Sequence, residues 1–154
     1  MTVEIIPFEQ KYTTDFYNLN IEWLKSLFYV EPYDEMILKN CETHIIDQGG
    51  HIFFAKLNND IVGTVALMKM EGTNNFELTK MAVSPAHRGF KIGQKLMHNV
   101  IHFAKTKQIP KLIIYSNRKL ENAIYVYKKY GFVEIPLEEN NHYERADIKM
   151  ELAF

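Results

Sequence analysis

One stretch restricts the possible folds of this chain more than any other. Between residues 76 and 116 an apolar strand pattern, an amphipathic helix pattern and a second strand pattern follow in succession. Residues 76–83 read as a strand ended by Ser84-Pro85. Residues 92–107 carry Ile92, Leu96, Val100 and Ala104 on one stripe, flanked by Met97 and Ile101, which is the spacing of a helix with one buried face. Residues 111–116 hold Leu112, Ile113, Ile114 and Tyr115 in a row, the mark of a strand covered on both sides. Two strands joined through a helix in this way lie parallel in one sheet, with the helix crossing over it.

Residues 3–8 read as a short strand. Thr13 or Thr14 is expected to cap a helix running to about residue 29, with Phe16, Leu19, Ile21, Leu24, Leu27 and Phe28 as its apolar positions. Pro32 opens a second helical region over residues 33–47, broken near Asn40 and ended by Gly49-Gly50. Residues 51–57 and 61–70 form a hairpin across Asn58-Asn59-Asp60, and residues 72–75 turn into the strand at 76–83. Beyond the crossover, residues 120–130 form a helix presenting Leu120, Ala123, Ile124 and Tyr127, closed by Gly131. Residues 132–135 and 143–152 supply the last strands. The order β-α-α-β-β-β-α-β-α-β-β predicts an α/β fold, a mixed and mostly antiparallel central sheet with helices on both faces. The 154 residues contain no repeat and no Pro/Gly/Ser-rich linker, so residues 1–154 read as a single domain.

The single cysteine, Cys41, excludes an intrachain disulfide and a cysteine-built zinc site, and it fits a reducing, cytoplasmic setting. No apolar run reaches the ~18 residues of a membrane span, so no membrane partner is expected. A net charge of −1 argues against a protein that coats nucleic acid. The charges are unevenly placed: residues 1–60 hold 4 lysines and 10 acidic side chains, and residues 61–154 hold 14 basic and 9 acidic ones. Solvated faces account for this as well as a C-terminal half that meets an anion and an N-terminal half that meets a cationic or neutral group. His98 and His102 stand at i and i+4, the spacing of a zinc-protease helix, but Asn99 holds the place of the required Glu, so a solvated face is the expectation. The same holds for Lys128 and Lys129. No metal is expected.

The densest chemical signal is the loop after the strand 76–83. It carries Arg88, Gly89, Lys91 and Gly93 and opens straight into the helix. Such a junction turns several backbone N–H groups towards one point, and the helix start adds about half a positive charge. Arg88 and Lys91 add full charges beside it. The result is an anion site suited to a pyrophosphate. There is no GxxxxGK[ST] and no GxGxxG after the strand, so a P-loop nucleotidase and a dinucleotide fingerprint are not supported.

This stretch resembles motif A of the GNAT superfamily of N-acetyltransferases, whose pattern is Arg/Gln-x-x-Gly-x-Gly/Ala after a strand ending in apolar-x-Val-x-Pro. Arg88-Gly89-Phe90-Lys91-Ile92-Gly93 matches the Arg and the final Gly. Lys91 stands where the family usually has its first Gly; a right-handed backbone is expected there, with the ammonium favouring the phosphates. Residues 61–68, IVGTVALM, are similar to the family's strand before motif A. Residues 123–132, AIYVYKKYGF, follow the family's closing Ala-x-x-x-Tyr-x-x-x-Gly-Phe. The resemblance covers residues 52–132 well and the first 48 residues as two helices of suitable length.

The resemblance implies an acetyl-CoA-dependent N-acetyltransferase that passes an acetyl group to a primary amine, on a small molecule or a lysine, by direct attack without a covalent enzyme intermediate. It places acetyl-CoA in a V between the strands 76–83 and 111–116. Met81, Ala82 and Val83 would meet the pantetheine arm, Arg88, Gly89, Phe90, Lys91, Ile92, Gly93 and Gln94 the pyrophosphate, and Asn117 or Asn122 the CoA arm, since Leu120 occupies the family's usual asparagine position. Tyr127 matches the family's general-acid tyrosine, Glu77 stands where related enzymes often carry a base, and the Met81 N–H is the oxyanion donor. Glu31, Tyr33, His142, Tyr143 and Arg145 are candidates to line the acceptor site. The acidic N-terminal half hints at a cationic acceptor, and the late strands of such folds often pair in homodimers. A silent acyl-CoA-binding module of the same fold, or an enzyme using a longer acyl group or an alcohol acceptor, are the alternatives.

Overall fold

The computed structural model describes residues 2–154. Its strands are β1 (Val3–Pro7), β2 (His51–Leu57), β3 (Asp60–Lys69), β4 (Phe76–Val83), β5 (Lys111–Ser116), β6 (Val133–Ile135) and β7 (Ile148–Ala153). Its helices are α1 (Thr13–Leu27), α2 (Pro32–Lys39), α3 (Ile92–Thr106) and α4 (Glu121–Lys129). The seven strands form one sheet in the order β1-β2-β3-β4-β5-β7-β6. Every neighbouring pair is antiparallel except β4 and β5, the pair that the α3 crossover forces to be parallel. The β2–β3 hairpin turns on Asn58 and Asn59, both at positive φ, the pair of left-handed residues that matches the twist of a two-residue hairpin.

Two cores hold the layers together. On one face α3 lays Ile92, Leu96, Met97, Val100 and Ala104 against Val65, Leu67, Leu78 and Leu112. Gly63 lets it come this close: a Cβ there would stand 2.9 Å from Ile92 Cγ2. On the other face Phe16 and Leu24 of α1 and Ile37 and Leu38 of α2 pack on Ile52, Phe54 and Ala66. Cys41 is buried in this second core. His98 and His102 lie on the exposed side of α3, as do Lys128 and Lys129 on α4.

The helical region after Pro32 breaks at Asn40, and a single wider turn, Glu42–Ile46, carries the chain on to Gly49. Two expectations are corrected. Neither Thr13 nor Thr14 caps α1; a short 3-10 turn, Gln10–Tyr12, runs straight into the helix, with Tyr12 at its cap and no side chain closing it. The last strand starts at Ile148, not at residue 143. Residues 143–147 turn away because other partners take their peptide groups: Glu144 and Arg145 donate N–H to the Glu31 carboxylate at 2.9 and 3.3 Å, and Ala146 donates to the Tyr143 carbonyl at 3.3 Å.

β4 carries the irregularity that shapes the molecule. Thr64 stands opposite Ala82, but Ala66 stands opposite Thr79. Lys80 and Met81 therefore share one position opposite Val65, a β-bulge, with Lys80 at φ +56. The extra residue reverses the strand's alternation. Phe76 and Leu78 face the α3 core, and so do Met81 and Val83, although an odd step separates Leu78 from Met81.

Candidate active site

β4 and β5 are paired only at Phe76–Leu112 and Glu77–Ile113. Past that point no ladder joins them, and a cavity of about 640 Å³ lies in the opening. A second, of about 330 Å³, continues it towards the start of α3. The two share Met81, Val83, Arg88, Asn122, Ala123 and Tyr127, so they form one groove. Ser84 donates its N–H to the Val62 carbonyl of β3 at 2.8 Å. Peptide directions alternate along a strand, so Val83, and Met81 two residues before it, turn their N–H groups to the open edge. Met81, Ala82 and Val83 all border the groove.

At the α3 end the chain passes through Gly89 at φ +96 and Lys91 at φ +59, ψ +30. Lys91 is thus left-handed, which overturns the right-handed expectation. It is the N-cap of α3 and its carbonyl accepts the Lys95 N–H at 3.1 Å, so the turn needs the conformation a glycine would take most easily. Ile92, Gly93 and Gln94 have no carbonyl four residues back to accept their N–H groups. Nothing stands within 4 Å of where a Cβ would sit on Gly89 or Gly93. Arg88, Gly89, Lys91, Ile92, Gly93 and Gln94 border this end of the groove. Phe90 does not; it is 40% exposed and tilts against His87 at 6.1 Å.

Tyr127 sits where both cavities meet. α4 aims it there, one turn from the helix end, with Phe132 beside it at 6.1 Å between ring centres. Burial pushes its phenol up to about 12. Asn117 and Asn122 separate clearly. The Asn117 amide donates to the Arg145 carbonyl at 2.8 Å and accepts the Lys119 N–H at 2.9 Å, so it ties two loops together at the groove wall. Asn122 borders both cavities from the first turn of α4.

Glu77 is buried and does not border the groove. Its Oε2 accepts a 2.7 Å hydrogen bond from the Tyr143 hydroxyl, and Tyr143 does border the groove. Lys80 donates to the same hydroxyl at 3.3 Å and to Asp34 Oδ1 at 3.4 Å. Arg145 grips Asp34 with two hydrogen bonds, 2.7 and 3.0 Å, and Glu31 with a third at 3.0 Å. Five charged side chains and a tyrosine thus form one buried network. Burial pushes the Glu77 carboxyl above the ordinary range, against the pull of Lys80. Burial likewise pushes the Lys80 ammonium down, against the pull of Glu77 and Asp34. Burial alone would raise Asp34 too, but the Arg145 hydrogen bonds and the Lys80 and Arg145 charges outweigh it, and its carboxyl lies low.

The proposed acceptor residues divide accordingly. Tyr143 and Arg145 border the groove. Glu31 does not; it holds the 144–145 turn. Tyr33 and His142 stack on each other at 4.6 Å outside it. Of the acidic side chains in the N-terminal half, Glu31 is engaged by Arg145, Asp34 by Arg145 and Lys80, and Glu35 by the Tyr17 hydroxyl at 2.9 Å. Sequence reading missed Lys80 and Asn20. A lysine inside an apolar strand, FELTKMAV, and an asparagine inside a helix stripe were the available signals. Among the described residues, no group of three or more His, Cys, Asp or Glu is placed to hold a metal ion, and no helix is long and apolar enough to cross a membrane.

Comparison with known proteins agrees with this geometry. Residues 13–132 match the model of the Acetyltransferase (GNAT) family. N-acetyltransferase 8 of Rattus norvegicus is 25% identical over 95 residues, covering 59% of this chain and 43% of that protein. The chain spans about half the length of the curated relatives it matches. A GNAT-family acetyltransferase from Staphylococcus aureus superposes with a TM-score of 0.86 at 25% identity, covering 99% of both chains. The PaiA N-acetyltransferase of Thermoplasma acidophilum, solved in complex with coenzyme A, has the same fold, with a TM-score of 0.78 at 19% identity over the whole of both chains. The splayed β4–β5 pair, the glycine-bearing loop at the start of α3 and the family match over most of the sequence lead to one conclusion: the chain is a member of the GNAT family of acetyltransferases.

Proposed function

We propose that this protein is an acetyl-CoA-dependent N-acetyltransferase that moves an acetyl group to an amine by direct attack. The observation that carries this reading is the continuity of the groove. An anion cradle lies at one end, open strand N–H groups line the side, and a buried tyrosine stands at the junction. The cradle fits the pyrophosphate of CoA: two positive-φ residues and a helix start turn N–H groups to one place, with open space over Gly89 and Gly93. Arg88 and Lys91 supply charge. Met81 and Val83 hold the pantetheine arm along the open edge of β4, and Asn122 meets it from α4. Bound acetyl-CoA supplies an activated acyl thioester.

The protein's own groups then do three things. The Met81 N–H donates to the acetyl oxygen as negative charge gathers on it. Tyr143 takes a proton from the attacking amine and passes its own to Glu77, whose burial raises its affinity for that proton. Tyr127 gives a proton to the departing sulfur; burial keeps the phenol protonated and raises the thiolate's demand for a proton in the same site. One N–C bond forms, one C–S bond breaks, and one proton passes from amine to enzyme while another passes from enzyme to sulfur. Tyr127→Phe tests this directly. It is expected to keep acetyl-CoA affinity and lose turnover by about 10²-fold. Equal turnover in thiol-release kinetics removes Tyr127 from the reaction.

A further inference from the structure

The acceptor end of the groove has a composition that names a class of amine. This inference rests on the acetyl-transfer reading above and sharpens it. α1 turns Asn20, Trp23, Leu24 and Leu27 to the cavity at helical spacing, and Phe28 follows at the helix end. Trp23 and Phe28 tilt against each other at 5.9 Å. Most of this wall is apolar. Its polar members are Ser26, exposed and donating its hydroxyl to the Trp23 carbonyl at 2.8 Å, and Asn20, 3% exposed, with Nδ2 donating to the Phe16 carbonyl at 3.0 Å. The Asn20 bond engages one of the two amide hydrogens and leaves Oδ1 as an acceptor on the side of the cavity it borders. A buried carbonyl oxygen on an apolar wall calls for an N–H or O–H donor on the ligand.

The charges point the same way. Asp34, the buried carboxylate at this end, is fully engaged by Arg145 and Lys80. The groups around it are cationic: Lys80, Arg145, and Lys119, which bonds the Leu27 carbonyl and lies 3.9 Å over the Phe28 ring. A second ammonium on the acceptor would find no unpaired carboxylate in the buried part of the pocket and would face like charges. Glu121 stands on the exposed rim. We infer that the acceptor is a monoamine with an aromatic or branched apolar body. Its amino group donates to Asn20 Oδ1 and its body packs on Trp23 and Phe28. Polyamines and lysines of basic peptides are disfavoured.

The test uses the intact protein with acetyl-CoA and three acceptors: 2-phenylethylamine, spermidine and a lysine-containing basic peptide. Acetyl-CoA affinity is measured by calorimetry and transfer by thiol release. The monoamine is expected to exceed the other two in kcat/KM by about tenfold or more. Trp23→Ala, at a half-buried position, is expected to lower the monoamine's kcat/KM by about tenfold while acetyl-CoA affinity stays the same. A higher kcat/KM for spermidine or the peptide overturns the acceptor class and leaves the transferase reading standing. An unchanged ratio in Trp23→Ala also overturns it. Acetyl-CoA binding with no transfer to any of the three overturns it as well. A protein that does not bind acetyl-CoA removes the transferase reading, and this inference with it.

Discussion

At Lys91 the backbone holds φ at +59, a region that costs an L-residue about 1 kcal/mol. The side chain placed there stands beside the proposed phosphate site, so stability and binding pull in opposite directions. Lys91→Gly is expected to raise stability by about 0.5–1 kcal/mol and to weaken acetyl-CoA binding, more so at low salt. Urea unfolding and calorimetry on the same variant check both signs; a variant that loses stability would contradict the assigned strain. Arg145 answers to another rule. Its removal leaves Glu31 buried without its cation and Asp34 with Lys80 alone, at a cost of about 3–5 kcal/mol. The exposed Arg118–Glu134 pair is worth about 1 kcal/mol or less, so Arg118→Ala serves as the control in the same unfolding series. Glu77 and Asp34 also set opposite pH trends. Asp34 lies low in the fold, so its stabilisation is complete above the ordinary carboxylate range and lost as pH falls through its folded value. Glu77 lies high, so it favours the fold while protonated and loses that contribution as pH rises towards its folded value. Wild type should therefore lose stability relative to Glu77→Gln as pH rises above 4.5, the ordinary glutamate value. A flat difference across that range would show that Glu77 is not perturbed.

At the scale of elements, the β4 bulge decides most of the site. It keeps Met81 and Val83 on the groove side and throws Lys80 to the other face, into the network with Asp34 and Tyr143. Deleting Lys80 removes the extra residue and restores simple alternation with Leu78, Met81 and Val83 still on the α3 face, so the strand past the bulge keeps its facing and the buried network loses its lysine. Retained acetyl-CoA binding with lowered stability in urea unfolding, because Asp34 loses one of its two cations, is the expected result; loss of binding in a variant that stays folded by circular dichroism would contradict it. β4 and β5 were legible to the residue in the sequence, because apolar runs bounded by Ser-Pro and by polar turns leave little choice of ends. The bulge was not legible, since lysine carries no preference for φ above zero. The late start of β7 was hidden for a related reason. Residues 143–147 alternate well enough for a strand, but Glu31, 113 positions earlier, takes the N–H groups that a ladder would use. Long-range partners of this kind leave no local signature.

Across the whole molecule, the charge division seen in the sequence takes on a spatial meaning only in part. The basic C-terminal half does supply Arg88 and Lys91 to the groove. The acidic N-terminal half brings Asp34 to the acceptor end, but Arg145 and Lys80 from the other half already engage it, and Arg145 engages Glu31 as well. Counting charges along the chain could not reveal that pairing, whereas the family motifs, which are local, could be read from the sequence directly. The groove opens where β4 and β5 part, so a ligand there bridges the two halves of the sheet. Saturating acetyl-CoA at ~100 times its Kd should add about 2.7 kcal/mol to stability, and hydrogen exchange should slow most at residues 81–94 and 114–117. The most direct measurement of the central claim is calorimetric titration with acetyl-CoA, followed on the same sample by thiol release with an amine. The account predicts one binding event per chain, thiol release that needs both substrates, and loss of release but not of binding in Tyr127→Phe. No heat of binding and no protection of residues 81–94 would contradict it, and the groove would then be a feature of the fold alone.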